Sequence, residues 1–346
     1  VAFFNQLWYH RKHRFLGAAL APLEWGYRAG LAIARAGTQA HKIGKPVISV
    51  GNLTVGGSGK TPLVIELVRM LGEAGKRVAV VSRGYRRRTS GLVVVHTPGG
   101  PVRPVDESGD EPVLISLRCP DAGVVVGEDR VAACRLAVER FDPDVILCDD
   151  AFQHRKLHRD LDIVAVHARY GLGNAHLLPR GPLREPRSAI ERANLVIFTH
   201  APGADAAYLR RIVPSNIPSA ECAFIPTGLT EGADLRPASP SIERPVIAAC
   251  AVAHPEGFFE TCRKAGLTLA GTRAFPDHHH YSPSDVSGLS DLASQRGASA
   301  VVVTQKDLVR LASLDSPVQF LALRIQAEWL YEQSQSRVES ILSRVC

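Results

Sequence analysis

The sequence has little of what marks a secreted, zinc-bound or membrane-spanning chain. No two of its seven cysteines form a Cys-x-x-Cys pair; they stand singly at 119, 134, 148, 222, 250, 262 and 346. An odd, scattered set argues against a disulfide framework or zinc ribbon and favours a reducing cytoplasm. No run of about 18 clean apolar residues exists, which disfavours a spanning helix. The opening residues lack the basic, apolar and small-residue layout of a secretory signal. Internal repeats and low-complexity tracts are missing as well.

What is there is globular material. The 346 residues are 45% hydrophobic and 22% charged, enough for one large or two medium domains with a real core. The net charge of +7 favours an anionic partner: nucleic acid, an acidic membrane or a phosphorylated substrate. Charge alone does not choose among them. Nucleic acid is the weakest of the three, because no aromatic-basic recognition motif accompanies the charge.

The first forty residues differ from the rest. "WYHRKHRF" (8–15) is basic and aromatic, with His10, Arg11, Lys12, His13 and Arg14 in a row. Residues 16–37 are apolar but interrupted by Pro22, Glu24, Arg28 and Arg35. Two readings fit: a helix lying in a membrane interface with Trp8, Trp25 and Tyr27 at headgroup level, or an amphipathic helix packed on the domain.

After residue 45, short β-branched runs alternate in part with helical stretches at 60–73 and 129–140. Continuous apolar runs such as "RVAVVS" and "LDIVAVH" are the pattern of buried parallel strands. The expected fold is α/β, a P-loop NTPase-like, largely parallel sheet with a second, smaller α/β domain and an N-terminal amphipathic helix. A polar, Pro- and Gly-rich stretch near 200–242 reads as the linker. Helices are expected near 255–265, 283–296 and 326–343. The implied division is 1–37 for the N-terminal helix, 38–225 for the P-loop domain and 226–346 for the smaller unit.

Residues 54–61 read "TVGGSGKT". The Walker A pattern wants glycine first, where this chain has Thr54. The rest holds: a strand, then Val55, Gly56, Gly57, Ser58, Gly59, Lys60 and Thr61, then a helix. Backbone N–H groups of such a loop, with the helix N-terminus, cradle phosphates. Lys60 would reach the β- and γ-phosphates of ATP, and the Thr61 hydroxyl would hold Mg²⁺. The apolar run "DVILCDD" (144–150) ends in Asp149 and Asp150, a second metal anchor of the Walker B kind.

A guanine-reading Asn-Lys-x-Asp is missing; "TQKD" (304–307) has the wrong spacing. Three basic runs, "SRGYRRR" (82–88), "EDR" (128–130) and "LPRGPLREPR" (178–187), suggest an anion-binding cleft. That composition suits a kinase with an anionic acceptor. The alternative is a P-loop nucleotide-hydrolysing switch or chaperone acting on a protein partner.

These pieces resemble the tetraacyldisaccharide 4'-kinase family. "GNLTVGGSGKTP" (51–62), "SRGY" (82–85), "GDEP" (109–112), "DDAFQHRKLHRD" (149–160), "LLPRGPLREP" (177–186), "AHPEGFF" (253–259), "FPDHHHY" (275–281) and "TQKD" are similar to its motifs, in order. Ala151-Phe152 stand where Gly-Leu is commoner, and Gln305 where Glu is expected. The resemblance implies ATP- and Mg²⁺-dependent phosphorylation of the 4'-hydroxyl of a lipid-linked disaccharide 1-phosphate. It implies peripheral or monotopic work at the cytoplasmic face of the bacterial inner membrane, with no obligate protein partner inferred. By resemblance Asp110 is the candidate base and His278 polarises or relays it, with His279 as the fallback. Arg83, Arg130, Gln153 and Arg184 are assigned to substrate or phosphate, and Glu185 joins Thr61, Asp149 and Asp150 at the metal. The "DHHH" cluster keeps two other readings, a metal site and a solvated turn.

Overall fold

The computed structural model describes residues 7–9, 14–203, 205–238 and 244–345. The basic residues His10, Arg11, Lys12 and His13 lie outside the described residues. The first half runs α1 (Arg14–Ala19), α2 (Ala21–Arg35), β1 (Val47–Gly51), α3 (Lys60–Glu73), β2 (Val78–Ser82), β3 (Val93–His96), α4 (Val105–Ser108), α5 (Asp110–Arg118), β4 (Gly123–Val126), α6 (Arg130–Phe141), β5 (Val145–Asp149), β6 (Leu161–His167), β7 (Leu195–Thr199) and α7 (Ala206–Ile212). The second runs β8 (Ser219–Glu231), β9 (Arg236–Pro237), β10 (Val246–Cys250), α8 (Pro255–Lys264), β11 (Leu269–Ala274), α9 (Pro283–Arg296), β12 (Ala300–Thr304), α10 (Gln305–Leu311), β13 (Gln319–Trp329) and α11 (Glu332–Leu342).

The strands form one continuous sheet among the described residues, in the order β11-β10-β12-β13-β8-β7-β6-β1-β5-β2-β4-β3. Most pairings are parallel. Their strands are buried along their whole length, as in β1, β2, β5 and β7, because helices cover both faces. Side chains alternate across the sheet. In β5, Val145 and Leu147 enter one cluster and Ile146 and Cys148 the other.

The stretch expected as a linker carries β8. This strand pairs in parallel with β7 over Ser219–Glu221, then antiparallel with β13 from Cys222 onward. It thereby joins the two halves of the sheet. One hydrophobic cluster also runs through both, holding Ile48 and Val50 with Val301, Val303 and Leu308.

The closing helix begins later than its apolar pattern suggests. Residues 326–329 belong to β13, and the helix spans Glu332–Leu342. Ala327 and Trp329 complete the antiparallel ladder against Phe224 and Cys222. A backbone already hydrogen-bonded in a ladder cannot also enter a helix.

Helix α2 is built the wrong way round for an ordinary surface helix. Its packed stripe, Ala21, Glu24, Tyr27, Leu31 and Arg35, sits at spacings of three and four. Glu24 accepts from the Leu177 backbone N–H at 3.1 Å and from Arg180 at 3.2 Å. The Tyr27 hydroxyl donates to the Arg184 carbonyl at 3.0 Å, and Arg35 to Glu185 at 2.6 Å. The outward arc carries Leu23, Trp25 and Ile33, which are 59%, 73% and 76% exposed. No helix of the described residues is long and apolar enough to cross a membrane.

The turn after β1 is tight. A Cβ on Gly51 would meet the Phe152 Cβ at 2.5 Å and its backbone nitrogen at 3.0 Å. Phe152 is fully buried, so it has nowhere to go. Gly51→Ala is expected to destabilise the chain by about 1–3 kcal/mol, read as a lower midpoint in chemical denaturation. An unchanged midpoint would mean that the β1 and β5 ends are more pliable than this contact implies.

Candidate active site

The phosphate loop is shaped by glycine. Gly59, at φ 73, ends the loop and caps α3, whose first residues are Lys60 and Thr61. A Cβ there would lie 2.4 Å from the Phe224 ring. Gly56 also has positive φ, 102. The arm entering the loop is braced by the segment that precedes Glu185. The Val55 N–H donates to the Pro182 carbonyl and the Arg184 N–H to the Leu53 carbonyl, both at 2.8 Å. Thr54 pairs with Leu183 across this antiparallel bridge.

Register places the carboxylates. Val50 pairs with Asp149 across β1 and β5, so the Walker B pair lies beside the strand that feeds the loop. Lys60 Nζ is 3.5 Å from Asp150 Oδ1. Arg184 donates to both Asp150 oxygens at 2.9 Å. Burial alone would raise Asp150, but Lys60 and Arg184 hold it well below the usual carboxylate range. Asp149 has no such partner. Burial, with Glu111 and Asp150 nearby, pushes its carboxyl up to about 7. Ser82 donates to its Oδ2 at 3.2 Å, while Oδ1 is buried without a hydrogen-bond partner.

That orphaned oxygen fits a divalent cation. Asp149 and Thr61 would hold Mg²⁺, with remaining positions left to phosphate oxygens and water, as this ion prefers; Asp150, both of whose oxygens accept from Arg184 at 2.9 Å, would join them only once those contacts open. No cage of three or more His, Cys, Asp or Glu exists among the described residues. Buried donors without partners, Ser58 Oγ and Arg130 Nε, also line the cleft and suit an anionic ligand. Arg83 is exposed at the same wall, and Gln153 donates to the Asn52 carbonyl at 2.8 Å. Glu185 lines the cleft too, but arginines occupy both its oxygens: Arg35 on Oε1 and Arg192 on Oε2, each at 2.6 Å. A metal-binding role would require those contacts to open.

Across the cleft, the second half delivers a charged cluster onto Asp110. Asp110 opens α5 and is buried, where the helix N-terminus favours a negative charge. Arg310 of α10 donates to its Oδ2. Lys306 Nζ lies 3.5 Å and His278 Nδ1 3.6 Å from the same oxygen. Burial would raise the Asp110 pKa; Lys306, His278 and Arg310 together hold it well below its ordinary value. Lys306 also reaches Glu111 at 3.1 Å and His278 Nε2 at 3.2 Å. Arg310 lies 3.1 Å from His278 Nδ1, so each ring nitrogen faces a cationic donor.

His279 faces elsewhere. Its Nε2 is 3.0 Å from Asp285, a capping residue of α9, and its ring stacks on Phe275. His280 is exposed. The three consecutive histidines therefore do not converge on one ion. Lys306 and Arg310 escaped the sequence reading of roles; their spacing of four, which puts both on one helix face, was the available signal. One cleft of about 2160 Å³ collects Lys60, Asp149, Asp150, Glu111, His278 and Lys306.

A phosphate loop, a paired carboxylate anchor on the next strand and a facing Asp–His cluster define a P-loop phosphotransferase of the α/β class. Residues 16–345 match the family model described as tetraacyldisaccharide-1-P 4'-kinase. The chain belongs to that family. It is 41% identical to the tetraacyldisaccharide 4'-kinase of Anaeromyxobacter sp. (strain K), covering 88% of this chain and 85% of the relative. With that of Geobacter sulfurreducens it shares 40%, over 87% and 86% of the two chains. It is also similar to the crystal structure of the "apo" form of LpxK from Aquifex aeolicus in complex with ATP, with TM-score 0.77 and 30% identity over 95% of this chain and 99% of that one. The chain is thus an ATP-using kinase, and the protein-partner switch is not favoured.

Two substitutions test the site. Lys60→Ala is expected to lower kcat by about a hundredfold or more, measured as phosphate transfer at saturating nucleotide; near-normal turnover removes the loop assignment. Arg310→Met takes a cation from Asp110, so the Asp110 pKa rises. The acid limb of the kcat/KM profile should move to higher pH. A limb that stays put means that Asp110 does not set it.

Proposed function

We propose that the chain transfers the γ-phosphate of ATP to the 4'-hydroxyl of a tetraacylated glucosamine disaccharide 1-phosphate. The observation that carries this reading is the meeting of Asp110 and His278, from opposite halves, behind the wall of a cleft that His278 lines with Lys60 and Asp150. The acceptor oxygen attacks the γ-phosphorus, the β–γ bridging P–O bond breaks, and the acceptor proton goes to Asp110. A carboxylate held so strongly ionised is a weak base. Phosphoryl transfer tolerates that, because bond-making to the acceptor lags behind leaving-group departure and most catalysis is positioning. His278 and Lys306 orient Asp110, and Arg83, Arg130, Gln153 and Arg184 bind phosphate or substrate. Bound Mg²⁺ supplies charge neutralisation on the phosphates.

The working place we propose is the cytoplasmic face of the inner membrane. The inverted build of α2 supports it: polar side chains face the protein and Leu23, Trp25 and Ile33 face out. A helix merely packed on the domain would do the reverse. On this reading 1–37 is the surface-seeking segment, 38–225 the catalytic unit and 226–346 the smaller unit that closes the cleft.

Transfer of labelled γ-phosphate to the disaccharide 1-phosphate in detergent is the direct test; no labelled lipid product from an ATP-binding preparation would overturn the assignment. For the membrane contact, removing the whole segment would also strip Glu24 and Arg35 from the loop they hold. The triple change Leu23→Ser, Trp25→Ser and Ile33→Ser leaves those anchors. It should keep ATP binding and weaken co-sedimentation with anionic vesicles about tenfold or more. Equal sedimentation of both forms would move the membrane contact elsewhere.

A further inference from the structure

Arg184 and Glu185 form a joint between α2 and the phosphate site. The Arg184 N–H donates to the Leu53 carbonyl at 2.8 Å, on the arm that enters the phosphate loop. Its guanidinium donates to both Asp150 oxygens at 2.9 Å. Its carbonyl accepts from the Tyr27 hydroxyl at 3.0 Å. Next along the chain, Glu185 accepts from Arg35 on Oε1 and from Arg192 on Oε2, each at 2.6 Å. Tyr27 and Arg35 stand on the packed stripe of α2, which also grips the start of this segment where Glu24 meets the Leu177 N–H. The Glu185 side chain is 2% exposed. A carboxylate buried that deeply is costly unless cations hold it, so the arginines fix where its backbone sits. Without Arg35, the nearest remaining cation to Oε1 among the described residues is Arg155, at 3.9 Å.

We propose that Tyr27 and Arg35 are positioning residues for the nucleotide: they fix the backbone of Arg184, so that its guanidinium passes from Asp150 to an arriving phosphate by side-chain rotation alone. The inference rests on the assignment of Arg184 to phosphate. A guanidinium fork suits both partners, because carboxylate and phosphate oxygens each accept its paired N–H groups. Asp150 is not left bare by the exchange, since Lys60 lies 3.5 Å from its Oδ1. A pivot that is already ordered lowers the entropic cost of binding. Burial pushes the Tyr27 phenol up, so the hydroxyl keeps the proton that it donates to the Arg184 carbonyl. Helix α2 thus has two working sides: the outward arc of Leu23, Trp25 and Ile33, and an inward stripe that ends on the nucleotide site.

Binding of Mg-ATP to the full chain, measured by titration calorimetry, tests this without the acceptor. Arg35→Gln should weaken binding about tenfold and Tyr27→Phe about threefold, and Arg35→Lys should recover part of the loss. Tyr27→Phe keeps its ring in the stripe, so it carries the test should Arg35→Gln fail to fold. Leu23→Ser, on the outward arc of the same helix, should leave the affinity unchanged. Double variants with Arg184→Met separate positioning from general loosening. If Tyr27 and Arg35 act through Arg184, neither change adds to the loss that Arg184→Met causes alone. Losses that multiply overturn the proposal, and so does native affinity in both Tyr27→Phe and Arg35→Gln. An Arg184→Met chain that binds Mg-ATP as tightly as the unaltered one overturns the phosphate assignment of Arg184 and the proposal with it. The expected pattern in a chain that transfers no phosphate to the disaccharide would uphold the positioning and overturn the acceptor assignment alone.

Discussion

The cleft depends on one strand's change of partner. β8 gives its first three residues to β7 and the rest to β13. Backbone hydrogen bonding is obligatory for buried strands, so this sharing fixes where the second half sits. That half then brings Ala253 over the loop, and His278, Lys306 and Arg310 over Asp110. A Cβ at Gly56 or Gly57 would touch Ala253 at 3.6 or 3.8 Å, a measure of how closely the halves approach. Phe224 stands on β8 itself and fills the space beside Gly59. Without the β7–β8–β13 continuity, each half would carry an incomplete set of groups.

Neighbouring cations set three buried carboxylates apart. Asp149 lacks a cation within bonding reach and rises; Asp110 and Asp150 are gripped by lysine and arginine and fall. Divergent environments of this kind separate roles among chemically identical groups. An anion pinned by cations is preorganised for orientation. A carboxyl that is protonated near neutrality, with a bare oxygen, waits for a positive partner. The sign for stability is also opposite. The depressed Asp110 contributes stability above its unfolded pKa of about 3.9, lost as pH falls towards the folded value. Asp149, with its raised pKa, costs stability once the pH exceeds its unfolded value.

The sequence made the loop and its neighbours readable because there the local signals agree. Apolar β-branched runs, glycines and helix spacing all point one way over 47–73, and the helices at Lys60–Glu73 and Pro283–Arg296 fall where the spacing puts them. β8 was hidden. Its pattern mixes buried, half-buried and exposed positions, because one strand serves a parallel partner and an antiparallel one. β13 was read in part as helix, since "IQAEWL" satisfies either period until its ladder partner is known. The pairing of Glu185 with Arg35 and Arg192 could not be read, as Arg35 lies 150 residues away. His167, His200 and His254 also stand far apart in sequence and come together only in the fold.

The stripe that anchors α2 has a kinetic consequence. Tyr27, Leu31 and Arg35 belong both to that stripe and to the wall of the cleft, so the outward apolar arc and the catalytic opening keep one fixed relation. On the membrane proposal, a chain resting on that arc presents its opening to the same plane that holds a lipid acceptor. Encounter then becomes a two-dimensional search. Its rate would follow the number of acceptors per unit area and their lateral diffusion, not their bulk concentration. Diluting the acceptor with inert lipid at constant total amount would slow turnover, while adding water to the suspension would leave it nearly unchanged.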